Sequence, residues 1–117
     1  MSRAAASVFS FGIYVLVLGL GLIATPNLVL APFGFPPTSE VWLRVVGVLA
    51  VALGGYYVLA ARAGLEAFFR ATVVMRSFAF VCFAAFVLLG LAKPALALFG
   101  AVDLAGAAWT ATALRKG

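Results

Sequence analysis

The chain has 117 residues, 67% hydrophobic and only 9% charged, with a formal net charge of +5, one cysteine and no histidine. Soluble domains average about 25% charged residues and the mean hydropathy here is +1.25, so a water-facing globule is excluded. The missing histidine removes imidazole-ligated haem, the usual zinc sites and imidazole proton relays, while Cys82 alone cannot close an internal disulfide.

Between Arg3 and Glu40 there is no charged residue, a stretch longer than the roughly 20 apolar residues that cross a bilayer. The first span is therefore expected over about residues 7–30, with Thr25-Pro26-Asn27 disturbing its end, because proline lacks the amide that would continue the ladder. Arg3 ahead of an apolar segment invites a signal-peptide reading, but the segment is long for one and no clear A-x-A cleavage site follows. A retained span is expected. Ala31-Pro-Phe-Gly-Phe-Pro-Pro-Thr-Ser39 reads as an apolar loop resting in the membrane interface.

The second span is expected over about 41–61, and Arg62 through Arg70 as the next connection, with Arg62, Glu66 and Arg70 pairing along one helical face at four-residue spacing. The third span follows over about 71–91, Lys93-Pro94 breaks the chain, and the fourth runs over about 95–114. Short loops between helices of one crossing each predict antiparallel neighbours. Arg3, Arg62, Arg70, Arg115 and Lys116 fall on one side and Lys93 on the other, so both termini are expected in the cytoplasm. The expected fold is all-α: one domain, an integral membrane four-helix bundle running up-down-up-down.

Gly12 and Gly19 in the first span, and Gly47 and Gly54 in the second, lie seven apart and so share a face in each helix. Small residues let helix backbones approach closely where water cannot drive association, and packing is the expected use. Phe80, Phe83 and Phe86 form a stripe on the third span that reads as bulk facing lipid or the core, or as an apolar groove. Trp42 suits an interfacial anchor. Cys82 reads as a small apolar residue.

Arg44, Arg76 and Asp103 are the charges inside the spans. Each costs roughly 2.5–3.5 kcal/mol at a helix centre on insertion scales, so each must face inward, pair or snorkel. Arg44 and Asp103 enter from the outer side on small-residue faces, at depths differing by roughly 6 Å. They form the expected ion pair, more a bolt between helices than an ion or ligand site. Arg76 enters from the opposite side and is expected to snorkel to the headgroups, with Asp103 a more distant partner. No nucleophile–base pair, metal cluster or phosphate-binding loop is present, so no catalytic residue, metal or cofactor is expected, and the scattered arginines build no basic face for nucleic acid.

Four short spans, with Arg44-Val-Val-Gly47 opening the second and Asp103-Leu-Ala-Gly-Ala107 in the fourth, resemble the DoxX-like group of small bacterial membrane proteins. The resemblance implies a multi-pass protein of the bacterial inner membrane; some members are linked to quinone-dependent sulfur oxidation as small subunits. Small multidrug resistance transporters need a carboxylate in the first span, which is absent here. Fluoride channels of similar size have an asparagine-bearing first span, and Asn27 beside Pro26 is the wrong context. The expected role is non-catalytic: accessory, scaffolding or lipid-interacting, with the bilayer and either a larger membrane complex or further copies of the chain as partners. The alternatives are a small oligomeric transporter or channel and the membrane subunit of a quinone-linked redox complex.

Overall fold

A computed structural model describes residues 1–116. It is all-helical: α1 (Arg3–Ala24), α2 (Pro26–Leu30), a 3-10 turn (Ala31–Phe33), α3 (Trp42–Ala63), α4 (Glu66–Leu88) and α5 (Leu96–Lys116). The four long helices are each long and apolar enough to cross a membrane. Large apolar side chains such as Val17, Leu20, Leu49, Leu59, Val74 and Phe78 point outward, a surface that water would not tolerate over so much of a small domain.

The ends of the helices follow local chemistry. Ser2 caps α1, its Oγ accepting from the Ala5 amide at 3.0 Å. The helix stops at Thr25, whose backbone leaves the helical region, and Pro26 opens α2 at a position where its missing amide costs nothing. Asn27 then pins the following loop by exchanging two 3.0 Å hydrogen bonds with the Thr38 backbone. The first span thus bends where the proline predicts, but residues 26–30 form a separate turn of helix.

The expected connection over 62–70 is much shorter. Gly64 adopts φ 67°, with its amide bonded to the Ala61 carbonyl and the Leu65 amide to that of Ala60, the paired closure that a left-handed glycine allows. Helix α4 begins immediately afterwards, at Glu66. The break divides the expected charge ladder: Arg62 stays on α3, and only Glu66 and Arg70 pair, at 3.8 Å and both exposed. An exposed i,i+4 pair of this kind contributes only about 0.3–0.5 kcal/mol.

Helix α1 is the hub. Its main contacts are with α3 and α5, α4 packs chiefly on α5, and α3 and α4 barely touch. The α1–α3 seam is built on the four glycines. A Cβ on Gly19 would lie 2.7 Å from the Gly47 carbonyl oxygen, and one on Gly47 would lie 2.8 Å from that of Gly19. Gly54 and Gly12 repeat the arrangement one heptad away, a Cβ on Gly54 falling 2.8 Å from the Gly12 oxygen. Backbone meets backbone here, as the spacing predicts.

A core of Ala5, Val8, Phe11, Tyr57, Ala61 and Phe69 lies at the end of the bundle where α1 begins and α5 finishes. At the other end the 3-10 turn folds over the start of α5, with Phe33 stacked on Phe99 at 4.2 Å between ring centroids.

Candidate functional site

Two polar places sit among the four long helices, and the charges are distributed between them differently from the sequence expectation. The first centres on Arg76, which is 3% exposed. Its Nε donates to the Thr72 carbonyl at 3.2 Å, and Nη2 donates to Thr72 Oγ1 at 2.9 Å and to Thr110 Oγ1 at 2.8 Å. Thr72 Oγ1 in turn donates to the Phe69 carbonyl at 2.7 Å.

Ser7 completes the network from α1. Its hydroxyl donates to the Ala4 carbonyl at 2.7 Å and lies 2.8 Å from Thr110 Oγ1. A serine has a single hydroxyl proton, so Thr110 is the donor of the bond between them. The direction is therefore Arg76 to Thr110 to Ser7 to Ala4, crossing α4, α5 and α1. The guanidinium carbon also stands 4.7 Å above the Phe11 ring and 5.7 Å from that of Tyr57, within the range of cation–π attraction. Gly106 leaves room for it: a Cβ there would lie 2.9 Å from Nη1.

Arg76 is thus not a snorkelling residue. Its side chain turns inward because two threonines, two aromatic faces and a glycine on four helices receive it there, and only Nη1 lacks a hydrogen-bond partner among the described residues. Sequence reasoning missed this network because threonine and serine in apolar helices usually bond back to their own chain. The available signal was the shared face of Thr72 and Arg76, and of Gly106 and Thr110, at four-residue spacing.

The second place is a partly open cavity of about 310 Å³ between α1, α3, α4, α5 and the loop after α2. Tyr14, Leu18, Val46, Phe83 and Phe99 contribute to its walls, and Asp103 is its only charged lining residue. Asp103 makes no ion pair within 4.0 Å and accepts no hydrogen bond among the described residues. It lies three residues before Gly106, one turn from the guanidinium of Arg76 along the same face of α5.

The expected Arg44–Asp103 pair does not form. Arg44 is exposed, and its Nη1 donates to the Ile23 carbonyl, near where α1 ends. There it lines a small polar pocket with Asn27, Thr38 and Glu40. The reason is helix order: α1 separates α3 from α5, so the two small-residue faces never meet across the bundle. Arg44 instead offers positive charge to a helix C-terminus whose last carbonyls lack intrahelical partners. A double-mutant cycle should record this: Arg44→Ala and Asp103→Asn are expected to change stability additively, to within about 0.5 kcal/mol. A coupling well above that, measured by thermal unfolding in detergent, would restore the direct pair.

The phenylalanine stripe also divides. Phe80 and Phe83 pack on Gly100 of α5, with Phe83 also reaching the cavity, whereas Phe86 is exposed. Only part of the expected groove faces the interior, because Gly100 draws α5 onto the first two rings. Among the described residues no group of three metal-ligating side chains comes together.

The fold and the two polar places together define a class: an all-helical protein with four candidate membrane-spanning helices, an internal polar node and an acid-lined apolar cavity. Comparison goes no further, since no protein-family description, curated protein or solved structure matches the chain.

Proposed function

We propose that the protein is a non-catalytic, lipid-interacting membrane protein that holds a lipophilic molecule in the cavity between its helices, with a hydrogen-bond donor of that molecule on Asp103. The observation that carries the proposal is the carboxyl group itself. An acid in apolar surroundings with no direct ion pair or hydrogen-bond donor among the described residues is costly, and here it lines a cavity at the small end of the range used for ligands. A guest with an apolar body and an amine or hydroxyl at one end satisfies both the walls and the acid.

Several features support membrane placement in the expected sense. The glycine contacts of α1 with α3, and those of Gly100 and Gly106 with α4, suit an antiparallel up-down-up-down bundle. Arg3, Arg62, Arg70, Arg115 and Lys116 suit cytoplasmic termini in a bacterial inner membrane, in keeping with the DoxX-like resemblance. The slight contact between α3 and α4 favours a second reading, a small oligomeric transporter or channel, because it leaves the cavity wall near Val46 and Phe83 open to lateral entry.

Purification from native membranes in mild detergent, followed by mass spectrometry of the organic extract, tests the proposal. A lipophilic compound near one per chain is expected with the wild type and absent from Leu18→Trp, which fills the cavity. Asp103→Leu should lower retention about ten- to a hundredfold, the loss of a hydrogen bond to a charged group worth about 1.5–3 kcal/mol. A quinone as that compound would select the redox-subunit role, stoichiometric protein partners the accessory one, and flux by the lone protein in liposomes the transporter. The same bulk lipid in wild type and both variants would sink the cavity as a binding site.

A further inference from the structure

The end of the bundle where α1 starts and α5 finishes carries two grooves, one on each side of α5. The first, of about 260 Å³, is lined by Arg3 and Ala6 of α1 with Trp109, Thr112, Ala113 and Lys116 of α5. The second, of about 270 Å³, is lined by Arg70 and Val73 of α4 with Ala111, Leu114 and Arg115 of α5. Each has the same construction: one cation from either helix at the rim, and an apolar floor running inward between them.

Among the described residues the only ion pair is Glu66–Arg70, so within them Arg3, Arg115 and Lys116 have no acidic partner. Trp109 is 50% exposed and its indole N–H has no hydrogen-bond acceptor among the described residues. The Thr112 hydroxyl spends its proton on the Ala108 carbonyl at 2.8 Å, so it adds no competing donor to the rim. Two cations and an indole donor above an apolar slot match one chemical object, a phosphodiester attached to acyl chains. Basic pockets between helices at a membrane's anionic face recognise lipid headgroups in this way.

We infer that the groove of Arg3, Trp109 and Lys116 binds an anionic phospholipid, with the phosphate between Arg3 and Lys116 and an acyl chain along Ala6 and Ala113. The groove of Arg70 and Arg115 is a second, weaker site of the same kind, because Arg70 is shared with Glu66. This inference is independent of the Asp103 cavity, which is lined by none of these residues.

Trp109 makes the test direct. In a Trp42→Phe background it is the only tryptophan, and its fluorescence reports lipid contact when the protein is reconstituted in vesicles containing brominated lipid. Brominated phosphatidylglycerol is expected to occupy the contact about tenfold more readily than brominated phosphatidylcholine, since each surface cation adds severalfold to anionic-lipid affinity. Arg3→Gln with Lys116→Gln should bring the preference close to one. Arg70→Gln with Arg115→Gln should leave the Trp109 preference unchanged. All four side chains are exposed, and an unchanged thermal midpoint would verify that each variant is folded. Equal quenching by the two lipids in the wild type, or a preference that survives loss of both Arg3 and Lys116, would overturn the site.

Discussion

Replacing Thr72 and Thr110 together by valine should destabilise the protein more than replacing Arg76 itself by methionine. The two threonine hydroxyls accept both protons of Nη2, and valine preserves their shape. With both gone, the charge keeps its ring contacts and one bond to the Thr72 carbonyl but loses every side-chain acceptor. Bonds to a charged donor are worth about 1.5–3 kcal/mol each, so the double variant is expected to lose about 3–6 kcal/mol.

Methionine removes the charge along with its need for acceptors. Thr72 keeps its bond to Phe69, and Thr110 keeps its bond to Ser7, so no hydroxyl is orphaned. Replacing a buried charge by an apolar side chain of similar volume is often neutral or stabilising, and a change within about 2 kcal/mol is expected, allowing for imperfect repacking. The order is diagnostic. Neutral interhelical hydrogen bonds in membranes average only about 0.6 kcal/mol, so a double variant costing near 1 kcal/mol would mean that Arg76 does not depend on these hydroxyls. Equilibrium unfolding in mixed detergent and dodecyl sulfate micelles gives both numbers.

Alanine at Gly19 or Gly47 is the second large effect. The added carbon would meet backbone atoms 2.7–2.9 Å away on the facing helix, and backbone cannot rotate aside as a side chain does. Separation of α1 from α3 is the remaining relief, and overpacking of this kind costs about 1–3 kcal/mol for each site. The seam is shared, so the pair of substitutions should be less than additive: once one carbon has parted the helices, the second finds space. Gly55→Ala is the control. Nothing lies within 4 Å of its added carbon, and alanine is the better helix former by up to about 1 kcal/mol, so a neutral or slightly raised thermal midpoint is expected. Equal losses at Gly19 and Gly55 would assign the effect to something other than the seam.

The glycine seam was legible because its signal is local. Seven residues make nearly two full turns, so Gly12 with Gly19 and Gly47 with Gly54 must each share a face, whatever the bundle does. The intramembrane charges were not legible in the same way. Depth and face can be read for Arg44, Arg76 and Asp103, but pairing needs the order of helices around the bundle, and α1 lies between the helices of Arg44 and Asp103. Arg76 misled for a further reason. Its partners are hydroxyls and aromatic rings, which carry no complementary charge to point toward them.

Composition, length of apolar runs and the placement of proline determined the all-helical class, the four long helices and the break at Thr25–Pro26. These follow from bonds made within a few residues and from the cost of exposing apolar surface. Tertiary structure decided which buried cation became the bolt, where Asp103 was left without a direct partner among the described residues, and which terminal cations came to line one groove beside α5. Those are contacts between residues as far apart as Ser7 and Thr110, and contacts over such distances exist only once the helices have chosen their neighbours.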